Sequence, residues 1–308
     1  MTRLYATSGR PVTLYTTSGR PAFGGGEGGA TPADPARLRP ATTDPDTLAL
    51  RPDRQIVQTR RVGPDRDYPT ITAALAGLPT VDPATQIVDI IIDPGTYRET
   101  VTTPAAGTVA LFGAGPGVQV IAPDDAKAVG VLTTGGSVYV EGMEFVLPAT
   151  TTGTWPKYPL HGTSSGSSAF VDVTWTARNT TIAQGRPSAV GADMGPRSTT
   201  TFLRNVFDGT TGSGLATNLH GWAANTDPLT VVFADCTTVQ TQTTGYDSLG
   251  SGQADEVWII GQKGGTDIMA KGTATRLHTD WTGPITSSST TLRDARTDWP
   301  RVRPWAAV

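Results

Sequence analysis

Residues 62–79 read VGPDRDYPTITAALAGLP, and residues 86–101 follow with QIVDIIIDPGTYRETV. In the first stretch Ile71, Ala74, Leu75 and Leu78 recur at i, i+3, i+4 and i+7, the apolar stripe of a short helix. Pro69 suits its first turn, and Gly77 with Pro79 stops it, so a helix is expected over 69–78. The second stretch is a β-branched run that ends at Asp93-Pro94-Gly95, a turn. One short helix is thus delivered directly onto a buried strand.

Downstream the chain changes to short strand phrases separated by turns: TVALFGAG, VQVIAP, VGVLTTGG, SVYVEGMEFVL, DVTWTARNTTI, TTTFLRNVFDG, TVVFADCTTV and EVWIIGQ. No helix alternates with them, which excludes a doubly wound α/β sheet. Several superimpose about a turn. Aligning VEGMEF, ARNTTI, LRNVF and ADCTTV places Glu141, Arg178, Arg204 and Asp235 in one column and Gly142, Asn179, Asn205 and Cys236 in the next. Repeats of roughly 25–40 residues suit the coils of a solenoid, where each coil buries its inward face only against its neighbours. The fold class expected is all-β: a single-stranded right-handed parallel β-helix, with the helix at 69–78 plugging its first coil and an extended arm before it. On this reading Asn179 and Asn205 are a corner amide stack, and the charged column is a surface ladder.

Composition agrees. About one residue in six is threonine, and glycine and proline supply turns, a balance that favours many short strands. The net charge of −3 disfavours wholesale nucleic-acid binding. Cys236 is alone, so no intrachain disulfide and no zinc site of paired cysteines is expected. The sequence shows neither an apolar run of membrane-spanning length nor a secretory signal, so synthesis and folding in a cytoplasm without a membrane span are expected.

The N-terminus differs from the rest. Residues 4–13 and 14–23 repeat one phrase, LYATSGRPVT and LYTTSGRPAF, and a Gly-rich run and five prolines follow. Such a segment cannot bury enough surface to order itself alone. The expected organisation is a duplicated anchor at 1–23, a Gly/Pro-rich linker at 24–55, a β-helix body at 56–253, and a last coil, cap and tail at 254–308. Leu4, Tyr5 and Arg10, with their counterparts Leu14, Tyr15 and Arg20, are the candidate interaction residues. Each copy offers an extended edge that could pair as a hairpin or add to a partner's sheet.

Val62-Gly63, Thr70-Ile71 with Ala74-Leu75, and Pro94-Gly95-Thr96-Tyr97-Arg98-Glu99 together resemble the opening of pectin-lyase-like right-handed β-helix proteins, pectinesterases above all. The same opening is similar to that of phage tail-spike and minor tail proteins, which carry a separate N-terminal arm. The resemblance implies the β-helix. It does not carry over an active site: the family's Gln-Asp-Thr-Leu phrase falls on Gly212-Ser213-Gly214-Leu215, its Asp-Phe-Ile-Phe-Gly is absent, and GRP at 185–187 precedes the relevant coils and lacks the tryptophan.

No catalytic residue is therefore assigned, and no metal site or cofactor is expected. Asp208 and Asp235, on successive coils, are the one candidate carboxylate pair for glycan hydrolysis, and as turn aspartates they read more simply as solvated. His161, His220 and His278 lack metal-ligand spacing. Tyr97 and Glu99 read as fold residues of the first coil. Trp155, Tyr158 and Trp222, in long loops, are candidate glycan-stacking residues. The function expected is a non-enzymatic virion protein of a bacteriophage, tail-spike-like, bound to other virion proteins through residues 1–23 and displayed toward host-surface polysaccharide. A trimer is one oligomeric state compatible with it. The alternatives are a carbohydrate-active enzyme, pectinesterase-like or a phage depolymerase, and a capsid-surface decoration protein.

Overall fold

The computed structural model describes residues 54–126 almost without a break. Beyond 126 it describes mainly 130–148, 158–162, 168–177, 190–194, 199–209, 217–221, 230–239, 256–264 and 276–283. Short strands elsewhere complete the described set. The structure is a parallel β-helix with one short helix at its N-terminal end, as the sequence led us to expect.

The coil is set by three strands in succession. Thr108–Gly113, Val118–Ile121 and Gly130–Thr134 make one coil; Ser137–Glu141, Glu144–Leu147 and Tyr158–Gly162 make the next. Each strand pairs in parallel with its equivalent one coil away, Val140 with Leu111 and Phe170, and Phe145 with Val120 and Trp175. The first face grows into a ten-stranded sheet, from Gln55–Val62 to Thr291–Asp294. The second face is six-stranded, and the third is built of short segments. The long sheet continues past residue 253 through Glu256–Ile260, Arg276–Thr279 and Thr291–Asp294. Two further strands described there, Ile268–Ala270 and Ile285–Ser287, belong to another sheet.

The lumen is filled by columns one coil step apart. Ile90, Leu111, Val140, Phe170, Phe202, Phe233 and Ile259 are successive register partners on the long sheet, and all are buried. Phe170 and Phe202 stack at 5.1 Å between ring centroids, and Phe202 and Phe233 at 4.8 Å. Each such aromatic pair contributes about 0.5–1.5 kcal/mol beyond area burial. Trp175 of the second sheet stacks on Phe145 and meets Phe170 edge-on, tying two faces together.

The resemblance motif builds the plug. Thr70 caps the helix Ile71–Leu75 by accepting from the Ala73 amide at 3.1 Å. Ala76 turns extended, so the helix is shorter than its stripe. Ile71, Ala74 and Leu75 are buried in the same core as Val62 and Val88. Glu99, from the first coil, accepts from the Ile71 and Thr72 amides, both at 2.8 Å, satisfying the orphan donors of the helix start. At the other end Arg60 donates to the carbonyls of Ala74, Ala76 and Gly77 at 2.8, 2.6 and 2.8 Å. Tyr97 is buried and donates to the Asp93 carbonyl at 2.8 Å, and burial raises its pKa. Tyr97 and Glu99 are fold residues, as read from the sequence.

In the N-terminal segment the backbone of Leu4–Tyr5 pairs antiparallel with Pro11–Val12, and Leu14–Tyr15 with Arg39–Pro40. The two copies thus pair with different segments rather than with each other. Arg10 and Arg20 lie outside the described residues. Among the described residues no helix is long and apolar enough to cross a membrane.

Candidate functional site

Chemistry on a β-helix needs side chains from neighbouring coils to meet on an outward face, so the corner after the long sheet and the outer face of that sheet are the places to look. At this corner five successive coils each turn through one left-handed residue: Gly142, Asp172, Arg204, Asp235 and Gly261, with φ of 67, 52, 52, 53 and 64°. Gly and Asp accept this conformation readily, and arginine does so at a cost. The steps between these residues are 30, 32, 31 and 26.

This register corrects the sequence alignment. Glu141 pairs with Val171, and Val171 with Leu203, so Gly142 rather than Glu141 is the equivalent of Arg204. The corner of the intervening coil is Asp172-Val173; Arg178 and Asn179, assigned to it from sequence, lie beyond its second-sheet strand and outside the described residues. The expected ladder of Glu141, Arg178, Arg204 and Asp235 is therefore replaced by a different pairing. Arg204 donates from Nε to Asp172 Oδ1 at 2.7 Å and from a terminal nitrogen to Asp172 Oδ2 at 2.6 Å. The bond to Asp172 is the main cause that raises the Arg204 pKa. Both side chains are more than a third exposed.

The next corner position points inward. Asn205 is buried and donates to the carbonyls of Phe170 and Leu203 at 2.7 and 2.9 Å, while its oxygen accepts from Trp175 Nε1 at 2.8 Å. Its role is structural, but Val173 and Cys236 hold the equivalent places on the neighbouring coils, so the expected amide stack with Asn179 is replaced by these hydrogen bonds. Cys236 occupies the same place one coil later, with Sγ 3.4 Å from the Phe202 carbonyl and 3.6 Å from that of Ala234. Burial pushes this thiol up to about 12, so it is no nucleophile.

The candidate carboxylate pair does not share a column. Asp208 stands opposite Thr176 in the second sheet, and the residue one coil before Asp235 is Arg204. His161 lies buried in the third face, and His278 is buried with its ring stacked on Trp258 at 3.8 Å. His220 lies in the strand Thr217–Gly221. Among the described residues no group of three His, Cys, Asp or Glu is placed to hold a metal. Of the three aromatic candidates, Tyr158 begins a third-face strand and is half-buried; Trp155 and Trp222 lie outside the described residues.

The outer face of the long sheet was not foreseen. Alternation along each strand sends Val88, Ile90 and Ile92 to the lumen, and Ile87, Asp89 and Ile91 the other way. That outer face carries a second apolar cluster: Ile87, Ala110, Tyr139, Val171, Leu203 and Ala234. The runs IVDIII, VALF and VYV signal it in the sequence, because a strand solvated on one face alternates apolar with polar. Asp89 stands in this face as the register partner of Ala110, and Glu141 accepts from the Tyr139 hydroxyl at 2.8 Å. A separate cleft of about 370 Å³ lies between the plug and the first coil, lined by Leu75, Leu78, Val81, Val88 and Val109 among others. It brings no titratable group to bear.

No protein-family model matches the chain, and no curated protein does. Among solved structures, pectin methylesterase from Aspergillus niger in deglycosylated form is 13% identical with a TM-score of 0.43, over 77% of this chain and 87% of that one. A pectin methylesterase mutant in complex with a hexasaccharide is 11% identical with a TM-score of 0.45, over 81% and 97%. The strand register carries the fold by itself, and at these scores the likenesses add nothing about activity.

Proposed function

We propose that the chain is a non-enzymatic structural protein of a virion, a β-helix body carried by its N-terminal segment, with residues 1–23 as the attachment element. The observation that supports the non-catalytic half is the outer face of the long sheet. Where neighbouring coils would have to converge acid, base and nucleophile, this chain places mainly alanine, valine, leucine and a tyrosine, and its titratable residues Asp89, Glu141 and His278 stand on separate strands of the sheet. Its nearest ion pair, Asp172 with Arg204, is closed upon itself. The virion half is supported by layout: a distinct N-terminal segment, here with a duplicated phrase, precedes a β-helix, and the tail-spike and minor tail proteins that its opening resembles carry a separate N-terminal arm. A displayed β-helix also offers long lateral faces to a host-surface polysaccharide.

Two measurements test this reading. Incubation with pectin and with host-wall glycan should give no turnover; sustained turnover abolished by Asp208→Asn or Asp235→Asn would overturn it. Deleting residues 1–23 should remove the protein from purified particles while its thermal unfolding is unchanged, and equal incorporation would count against the attachment role. Recovery with capsids rather than tails would favour a decoration protein.

A further inference from the structure

The third face of the β-helix repeats a phrase that the proposed function leaves unused. Residues 160–162 and 219–221 both read Leu-His-Gly, and both close five-residue strands, Tyr158–Gly162 and Thr217–Gly221. Leu160 is buried in the lumen core, so alternation places His161 on the outer side of its strand, where it is 7% exposed. In Thr217–Gly221 the large apolar residue, Leu219, shares one face with Thr217 and Gly221, and Asn218 and His220 share the other.

Between these two strands runs Val190–Met194. It lies beside Tyr158–Gly162 and pairs in parallel with Thr217–Gly221, with Asp193 the register partner of His220. Its apolar residues Val190, Ala192 and Met194 fall on one face, and Asp193 with Gly191 on the other. The fourth residues of the three strands are thus His161, Asp193 and His220, each on the more polar side of its strand. Asp193 and His220 join this group by strand placement, their side chains lying outside the described residues. Whole coils separate the three along the chain, so no short motif signals the group in the sequence.

At the ~4.8 Å spacing of paired strands, Asp193 and His220 hold adjacent positions, and with His161 one strand further the three span about 10 Å. Calcium and magnesium prefer all-oxygen donors, whereas zinc and its first-row neighbours take histidine nitrogen at ~2.0–2.1 Å and carboxylate oxygen at ~2.0–2.2 Å. We propose that His161, Asp193 and His220 make a binding site for one divalent transition-metal ion on the outer side of the third face. Three donors leave a coordination position for water or for a donor atom of a ligand. The site bridges the break between the three-stranded sheet that ends at Tyr158–Gly162 and the two-stranded sheet that follows it, so metal binding stabilises the fold. This inference does not depend on the virion reading, and its test is separate.

The chain has 3 histidines, which makes the test direct. Zinc added to the full chain should shift the imidazole NMR signals of His161 and His220 and leave those of His278 in place. It should also raise the thermal midpoint. His161→Gln, Asp193→Asn and His220→Gln keep the side chains close in size, and each should weaken zinc binding by more than ~10-fold, a cost already typical of losing a partner outside the coordination sphere. His278→Gln, in the long sheet, should leave zinc affinity unchanged. Zinc that moves neither His161 nor His220, or that binds equally well to Asp193→Asn and His220→Gln, would overturn the proposal. Weakening by those two substitutions but not by His161→Gln would leave a pair on two strands, and the three-strand site fails. The NMR shifts need no variant, so they decide the matter even where a substitution disturbs folding.

Discussion

The long sheet has two apolar faces, and they are built differently. The inner face grows bulkier along the axis, from Ile90 and Leu111 to three stacked phenylalanines, because it must fill a lumen against two other sheets. The outer face keeps small residues, Ala110, Ala169 and Ala234, between its larger ones. A lumen column is close-packed by its neighbours above and below, so a gap there cannot collapse. An outer residue packs on its neighbours along the sheet, with no facing sheets of a lumen around it.

Phe202→Ala breaks the inner face at its most stacked point and should cost about 3–5 kcal/mol, read as a lower midpoint in urea with an unchanged slope. On the outer face, where Leu203 is buried, Leu203→Ala should cost about 2 kcal/mol. A cost equal to that of Phe202→Ala would make the two faces equivalent and erase the distinction.

Legibility in the sequence follows the same division between local and long-range causes. The plug was legible because its determinants are close together: a 3.6-residue stripe, Thr70 to cap it, and a turn at Asp93-Pro94-Gly95. The strands were legible from β-branched runs. Corner register was not, because Arg178-Asn179 imitates Arg204-Asn205 while the actual corner is Asp172-Val173. The corner tolerates Gly, Asp or Arg at its left-handed position and Met, Val, Asn or Cys beside it. With no fixed residue type, only parallel pairing one coil away sets the register. Burial of the outer strip was hidden for a related reason, since continuous apolar runs do not say which face is the lumen.

Cys236 offers a probe of the inner corner that costs the fold nothing. At pH 8 a thiol reagent should label it only after unfolding, and rapid labelling of the native protein would place it outside the core. The sign of its pH effect is fixed by its raised pKa. The stability carried by the neutral thiol is complete below its ordinary value of 9.0 and is lost as pH rises from there toward about 12. Cys236→Ala should flatten that alkaline loss.

The smallest effect is expected at the exposed corner, where two terms oppose. Arg204 gains a bidentate bond to Asp172, but both groups are solvated, so the pair contributes only about 0–1 kcal/mol. Against this, a left-handed arginine costs on the order of 1 kcal/mol. Arg204→Ala removes the pair and keeps the strain, so it should destabilise slightly. Arg204→Gly removes both and should fall within ~0.5 kcal/mol of the unsubstituted protein, the relief being offset by glycine's extra chain entropy. Thermal unfolding of the two variants side by side separates the terms. If glycine is worse than alanine there, the pair being absent from both, the left-handed strain at this corner is smaller than the chain entropy that glycine adds.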